Sequence, residues 1–180
     1  MKRLLVTLLV GGLVGAVMGF AGGIFVYPFW FLNDVASETL GGGVERERFA
    51  TGEFIHVNPS DPIHWGRGSG TLYREAGDRS VVHLHDNFEV GPGPRFHVYL
   101  VDHAMVDSGE AFTASDKIDL GRLRAFKGSQ IYEVPDGADA AKYRSVVIWC
   151  KEFGVLISPA SLTSVTAGAA QGSRPSGRSG

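Results

Sequence analysis

Ser145-Val146-Val147-Ile148-Trp149-Cys150 is the most strand-like stretch of the chain, and it holds the only cysteine. Side chains alternate across a strand. Val146, Ile148 and Cys150 therefore share one face, and Val147, Trp149 and Lys151 share the other. Both faces are largely apolar, as in a central strand covered on both sides. Cys150 is expected to point inward with Val146 and Ile148. Lys151 is its neighbour in sequence but projects to the opposite face, so it is a poor activator of the sulfur.

Outward from this strand, the sequence reads as short strands separated by turns. Phe49 to Val57 is a first candidate, broken by Asn58-Pro59-Ser60-Asp61-Pro62. Gly70 to Glu75 and Ser80 to Phe88 flank Ala76-Gly77-Asp78-Arg79, a hairpin turn. Gly91-Pro92-Gly93-Pro94 is a hard break, and Phe96 to Val101 alternates behind it. Ala111 to Asp119 shows no clear period. Gln130 to Val134 is a strand stopped by Pro135-Asp136-Gly137, and Asp139 to Tyr143 forms one helical turn. Phe153 to Ile157 comes last. Strands at this spacing, with no long amphipathic helix among them, predict an all-β antiparallel β-sandwich.

Ahead of the sandwich lies a different kind of segment. Lys2 and Arg3 precede a stretch without a charged residue from Leu4 to Leu32. As a helix it would be about 44 Å long at about 1.5 Å per residue. A bilayer core is about 30 Å thick and needs about 20 apolar residues. A cleavable signal would have an apolar core of only about 7–15 residues before its cut site. Ala21-Gly22-Gly23 imitates such a site, but Ile24 to Leu32 carries the apolar run past it. The segment therefore reads as a retained transmembrane signal anchor, with Tyr27 and Trp30 at the far interface. The positive-inside rule keeps the basic tip in the cytoplasm and puts everything after about Asn33 outside. Gly11, Gly15, Gly19 and Gly23 recur every four residues along one face, a spacing that lets two membrane helices approach closely. The expected organisation is an anchor at 4–32, a linker at 33–48, a sandwich domain at 49–162 and a disordered tail at 163–180.

Composition narrows function. The formal net charge is −2 and there is no basic footprint for nucleic acid. The chain has no Gly-x-Ser-x-Gly elbow, phosphate-binding loop or dinucleotide fingerprint. Exported domains usually oxidise their cysteines in pairs, and Cys150 has no partner in its own chain. It is buried and inert, or it pairs between molecules, or its sulfur is used. A lone thiol can form a mixed disulfide, be oxidised to a sulfenate, or bind a metal or haem iron. Without a Cys-x-x-Cys-His sequence, covalent c-type haem attachment is excluded. Histidines are the other candidate ligands. On a strand, His83 and His85 project from one face about 6.5–7 Å apart, a spacing able to supply two metal ligands. His97 or His103 could add a third. The same pattern also suits the polar outer face of an antiparallel sheet. His56 and His64 sit in loop-like sequence and carry no clear signal.

Five stretches occur in a familiar order: Gly91-Pro92; Val98-Tyr99-Leu100; Leu120-Gly121-Arg122-Leu123; Lys127 to Pro135; and Val146 to Cys150. Together they resemble the electron-transfer domain family called DM-thirteen, over about Phe49 to Leu162. The resemblance implies a β-sandwich outside the cell membrane. It also implies an electron-transfer role for the cysteine, here Cys150, as a bare thiol or as a ligand to a group such as haem. The chain departs from the family pattern at Gly93-Pro94, where an acidic residue and leucine are usual, and at Ile157, where an aromatic is common. It contains no DOMON-like segment, so a redox partner is expected to be a separate protein. Two functions follow. One is a membrane-anchored, extracytoplasmic redox component rather than a stand-alone enzyme. The other is a non-catalytic binding module of the cell envelope, with Cys150 in its core and function in the Asn58–Gly70 and Gly91–Phe96 loops.

Overall fold

The computed structural model describes residues 2–31, 35–77 and 79–165. Helix α1 spans Lys2–Phe31, and its Arg3–Ile24 portion is long and apolar enough to cross a membrane. The side chains of Tyr27 and Trp30 and the tail from 166 onward lie outside the described residues, as does Asp78 of the hairpin turn.

The rest is an antiparallel sandwich of two sheets. The strands in chain order are β1 (Val35–Ser37), β2 (Arg46–Glu53), β3 (Gly66–Arg67), β4 (Ser69–Glu75), β5 (Ser80–Leu84), β6 (Glu89–Val90), β7 (Phe96–Val101), β8 (Lys117–Arg122), β9 (Lys127–Glu133), β10 (Ser145–Cys150), β11 (Val155–Ser161) and β12 (Thr163–Ser164). The larger sheet runs β12-β2-β4-β5-β9-β6-β3, and the smaller runs β11-β10-β7-β8. β1 joins β9 in parallel, the one departure from antiparallel pairing among the described residues.

β10 is central in its sheet, between β7 and β11, as its apolar faces predict. The parity also holds. Val146, Ile148 and Cys150 lie in the cluster between the sheets with Val82, Leu84, Phe88, Val98 and Leu100. Fully burying a side chain such as Ile148 contributes about 1.5–3 kcal/mol. Val147 faces the other way, into a second cluster with Tyr99, Val101, Val106 and Phe112. That outer cluster is roofed by α2 (Gly109–Ala114), whose start is capped by the Ser108 hydroxyl accepting from the Ala111 N–H at 3.2 Å. Phe112 of α2 stacks on Trp149 with ring centroids 4.1 Å apart.

The aperiodic stretch Ala111 to Asp119 is thus the end of a six-residue helix followed by the start of β8. Neither element is long enough to show a period. The predicted helical turn near Asp139 is a short 3-10 helix, Ala140–Lys142, capped by the Asp139 carboxylate. Val35–Ser37, inside the span read as linker, is instead a strand. Glu38 fixes it: its carboxylate accepts from Arg124 Nε and Nη2 at 2.7 Å and from the Ile131 N–H at 2.8 Å. Composition could not show this, because a strand of three residues is held by its partners rather than by its own pattern. β2 likewise begins at Arg46, ahead of the expected domain start.

One residue that carries the family resemblance has a structural role. Gln130 is fully buried, and its amide ties down the β8–β9 loop. Its Oε1 accepts from the Arg124 and Ala125 N–H groups and the Tyr132 hydroxyl, while Nε2 donates to the Ala125 carbonyl. Every polar atom of this buried amide is engaged, the condition for burying one without penalty.

Candidate functional site

Cys150 ends β10 at one tip of the sandwich. It is 2% exposed, and its Sγ lies 3.2 Å from the Pro94 carbonyl oxygen, which accepts the thiol proton. Arg95 follows in a left-handed conformation, φ 53°, that costs a non-glycine residue of order 1–3 kcal/mol. It is held there from the hairpin beyond Cys150. The Lys151 N–H donates to the Arg95 carbonyl at 3.2 Å, and the Arg95 guanidinium meets Glu152 at 3.2 Å. The loop carrying Pro94 is therefore latched to the chain that carries the thiol.

An apolar pocket opens at this tip, walled by Pro92, Pro94, Phe96, Phe153 and Cys150, with His64 and Ile24 of α1 also on its lining. Phe153 and Ile63 at its mouth are about half exposed. Two glycines set the shape. A Cβ at Gly91 would sit 2.4 Å from the Ile63 carbonyl oxygen and 2.9 Å from Trp65 Nε1. Only glycine lets the two loops close, and the Gly91 N–H then donates to the Trp65 carbonyl at 3.0 Å. A Cβ at Gly93 would meet the Phe96 ring at 2.4 Å. The Gly93-Pro94 departure from the family pattern thus seats Phe96 directly under the loop.

His64 is built into the lip by Asp61. One Asp61 oxygen accepts the Ile63 and His64 N–H groups at 2.9 and 3.1 Å, and the other meets His64 Nδ1 at 2.7 Å. The His64 ring bond, followed by these two N–H groups, holds the Asp61 carboxyl down at about 2. An ionised carboxylate only accepts, so His64 Nδ1 is the donor of this bond. Sequence reading passed over His64. The one available signal was Asp61 three residues ahead of it in a turn.

His83 and His85 share one face of the larger sheet, with ring centroids 5.0 Å apart. Their nitrogens are largely committed to hydroxyls. His85 Nδ1 meets Ser69 Oγ and Nε2 meets Thr71 Oγ1, both at 2.9 Å, and His83 Nε2 meets Ser129 Oγ at 2.8 Å. Only His83 Nδ1 is buried without a partner. Burial lowers the pKa of both rings, and for His83 the neighbouring His85 adds to the effect. Neither proposed third ligand reaches them. His97 lies in the smaller sheet and pairs with Asp119 at 2.8 Å, while His103 lies beyond the end of β7 and accepts from the Met105 N–H. Among the described residues, no group of three or more His, Cys, Asp or Glu side chains is placed to hold a metal ion.

Lys151 projects away from the sulfur, as parity requires, to Asp119 at 3.0 Å. Gly11, Gly15, Gly19 and Gly23 lie on α1, and a Cβ at any of them would meet nothing within 4 Å.

Cys150 does not fit a haem-ligating thiolate in this arrangement. Its sulfur is packed into the inter-sheet cluster and donates to a carbonyl oxygen. A thiolate there would face that oxygen's lone pairs. The geometry suits a thiol that donates to the Pro94 carbonyl.

A small antiparallel sandwich with one unpaired thiol at an apolar tip is the class of domain that these features define. Residues 59–162 match the family described as Electron transfer DM13. The match covers more than half of the chain, and the chain belongs to this family. No curated protein and no solved structure gives a significant match.

Proposed function

We propose that this protein is a membrane-anchored redox module in which Cys150 works as a bare thiol. α1 is its signal anchor, with the N-terminus in the cytoplasm and the sandwich outside. The glycine face of α1, open along its length, is available to a second membrane helix. The observation that carries the redox reading is the position of Cys150: a lone, unpaired sulfur forming part of the wall of an apolar pocket, in a domain of an electron-transfer family.

The chemistry is thiol–disulfide exchange with a disulfide on a separate partner. The Cys150 thiol loses its proton, and the thiolate attacks one partner sulfur. A Cys150–partner disulfide forms, the partner's own S–S bond breaks, and the second partner sulfur leaves as thiolate and takes up a proton. Cys150 is oxidised by sharing the new bond, and the partner's leaving sulfur is reduced.

The test uses the detergent-solubilised full chain and an aromatic disulfide whose released thione absorbs light. The reading expects one equivalent of thione from native protein, a mass increase on the peptide containing Cys150, and neither from Cys150→Ser. A binding module is favoured by the depth of the sulfur and by the half-exposed Ile63 and Phe153 at the pocket mouth. It gives release only after unfolding.

A further inference from the structure

We infer that the apolar tip of the sandwich, the end that carries Ile63, Pro92 and Phe153, rests in the lipid interface of the membrane that α1 crosses. The inference rests on α1 as the anchor and is independent of the chemistry of Cys150.

The topology decides which end faces the lipid. α1 ends at Phe31 and β1 begins at Val35. That length of chain spans at most about 14 Å, so the domain is held close to the end of the helix. β1 is no loose tether. Val35 lies opposite Lys127 and Ser37 opposite Ser129 on β9, and Glu38 beyond them is bonded to Arg124 and Ile131. The pairing is parallel, so the membrane-side end of β1 lies at the start of β9. That start is at the tip. Lys127 pairs with Glu89 of β6, the Val90 N–H donates to the Phe126 carbonyl at 2.9 Å, and the Gly91 N–H donates to the Trp65 carbonyl at 3.0 Å. The smaller sheet is in the same register. The Leu123 N–H, in the loop leading into β9, donates to the Phe96 carbonyl at 2.8 Å, and Phe96 pairs with Cys150. The chain therefore enters the domain from the membrane at the end where Gly91, Phe96, Cys150 and Phe153 lie.

α1 brings the bilayer to the same place. Its 30 residues measure about 45 Å at about 1.5 Å per residue, and a bilayer with its headgroups is about 40–45 Å thick. Ile24, the last residue of the portion apolar enough to cross, lines the tip pocket with Ile63, Pro92 and Phe153. The pocket is thus at the depth where hydrocarbon gives way to headgroups.

The surface of the tip suits that layer. Ile63 is 51% exposed, Phe153 54%, and Val35 at the point of entry 65%. Charged side chains around them are joined in ion pairs, Arg67 and Lys127 with Glu89 and Arg95 with Glu152, so seating the tip in lipid strands none of these charges alone. Trp65, with the Arg67 guanidinium 5.9 Å from its ring centre, is the kind of amphipathic ring that collects at bilayer interfaces. The opposite end of the sandwich exposes Asp136, Asp139, Lys142 and Arg144. With the tip on the lipid, the pocket that Cys150 helps to wall opens at the membrane surface, and a partner approaches it along the bilayer.

The experiment puts a benzophenone amino acid in place of Phe153, Ile63 or Asp136, one at a time, in the full chain reconstituted in palmitoyl-oleoyl phosphatidylcholine vesicles. Irradiation should add the mass of one lipid to the peptides carrying the Phe153 and Ile63 positions and leave the Asp136 position unmodified. The two tip positions are independent, so if one variant fails to fold, as judged by its urea transition, the other decides. No lipid adduct at the tip, in chains that float with the vesicles, would overturn the inference and leave the anchor standing. An equal adduct at the Asp136 position would also overturn it, because the domain would then lie on its side. Chains that do not float with the vesicles would overturn the anchor and the inference together.

Discussion

Two places in the sandwich gather histidine, and they are built in opposite ways. On the larger sheet, His83 and His85 sit side by side among Ser69, Thr71 and Ser129, and three of their four ring nitrogens are bonded to hydroxyls. At the tip, His64 is held by one carboxylate at one nitrogen, and among the described residues the other has no hydrogen-bond partner. The first set is a network that fastens strands to one another. The second is a single ring fixed by a carboxylate within its own turn. The difference lies in the partners: hydroxyls from neighbouring strands on the sheet, a single carboxylate from its own turn at the tip.

The largest effect should come from the floor of the tip. Phe96 is 4% exposed, packs edge-on against Phe126 at 5.8 Å and lines the thiol pocket. Phe96→Ala should cost about 3–5 kcal/mol in urea unfolding. A cost near zero would mean that the tip is an appendage and not core. Gly91→Ala comes next, since its Cβ collides with the Ile63 carbonyl. It should cost about 1–3 kcal/mol and also speed native labelling of Cys150 by forcing the loops apart. Both readouts come from one preparation.

On the sheet side, Thr71→Val removes the hydroxyl shared by His85 and Thr51. It should cost about 1 kcal/mol and leave thiol chemistry unchanged. A changed thiol rate would join the two regions that the comparison separates. The smallest effect is the pH dependence of the same network. His83 and His85 have lowered pKa values, chiefly through burial, so the unfolded chain binds more protons than the folded one below about 6.5. Stability from this pair is therefore complete above that pH and is lost as pH falls through the folded values. Urea midpoints between pH 8 and 5 should decline in the natural protein, and more weakly in His83→Gln/His85→Gln.

The sequence made the β10 reading legible because alternation is local: each side chain's face follows from its neighbours, and Cys150 fell on the inner face as its parity required. The same holds for the Asp139 cap and the β4–β5 turn, where Gly77 adopts φ +79°. The partner of Cys150 was not legible. The Pro94 carbonyl that takes its thiol bond lies far from it in the chain, and the close approach of the neighbouring loops at Gly91 is one that no periodicity encodes. Glu38 was hidden for a similar reason. It belongs to a segment whose composition resembles a linker, and its order comes from Arg124 and Ile131. The parity of His83 and His85 was readable, but the hydroxyls facing them come from β4 and β9 and so were not.

The central claim is that Cys150 works as a thiol in the folded protein. Its most direct test is the rate of Cys150 alkylation in the native full chain at rising urea concentrations, well below the unfolding transition. Reaction without unfolding exposes little surface, so the account predicts a rate that is measurable without urea and nearly independent of it. A rate that climbs with the full slope of global unfolding would contradict it, and would make Cys150 a core residue of a binding module.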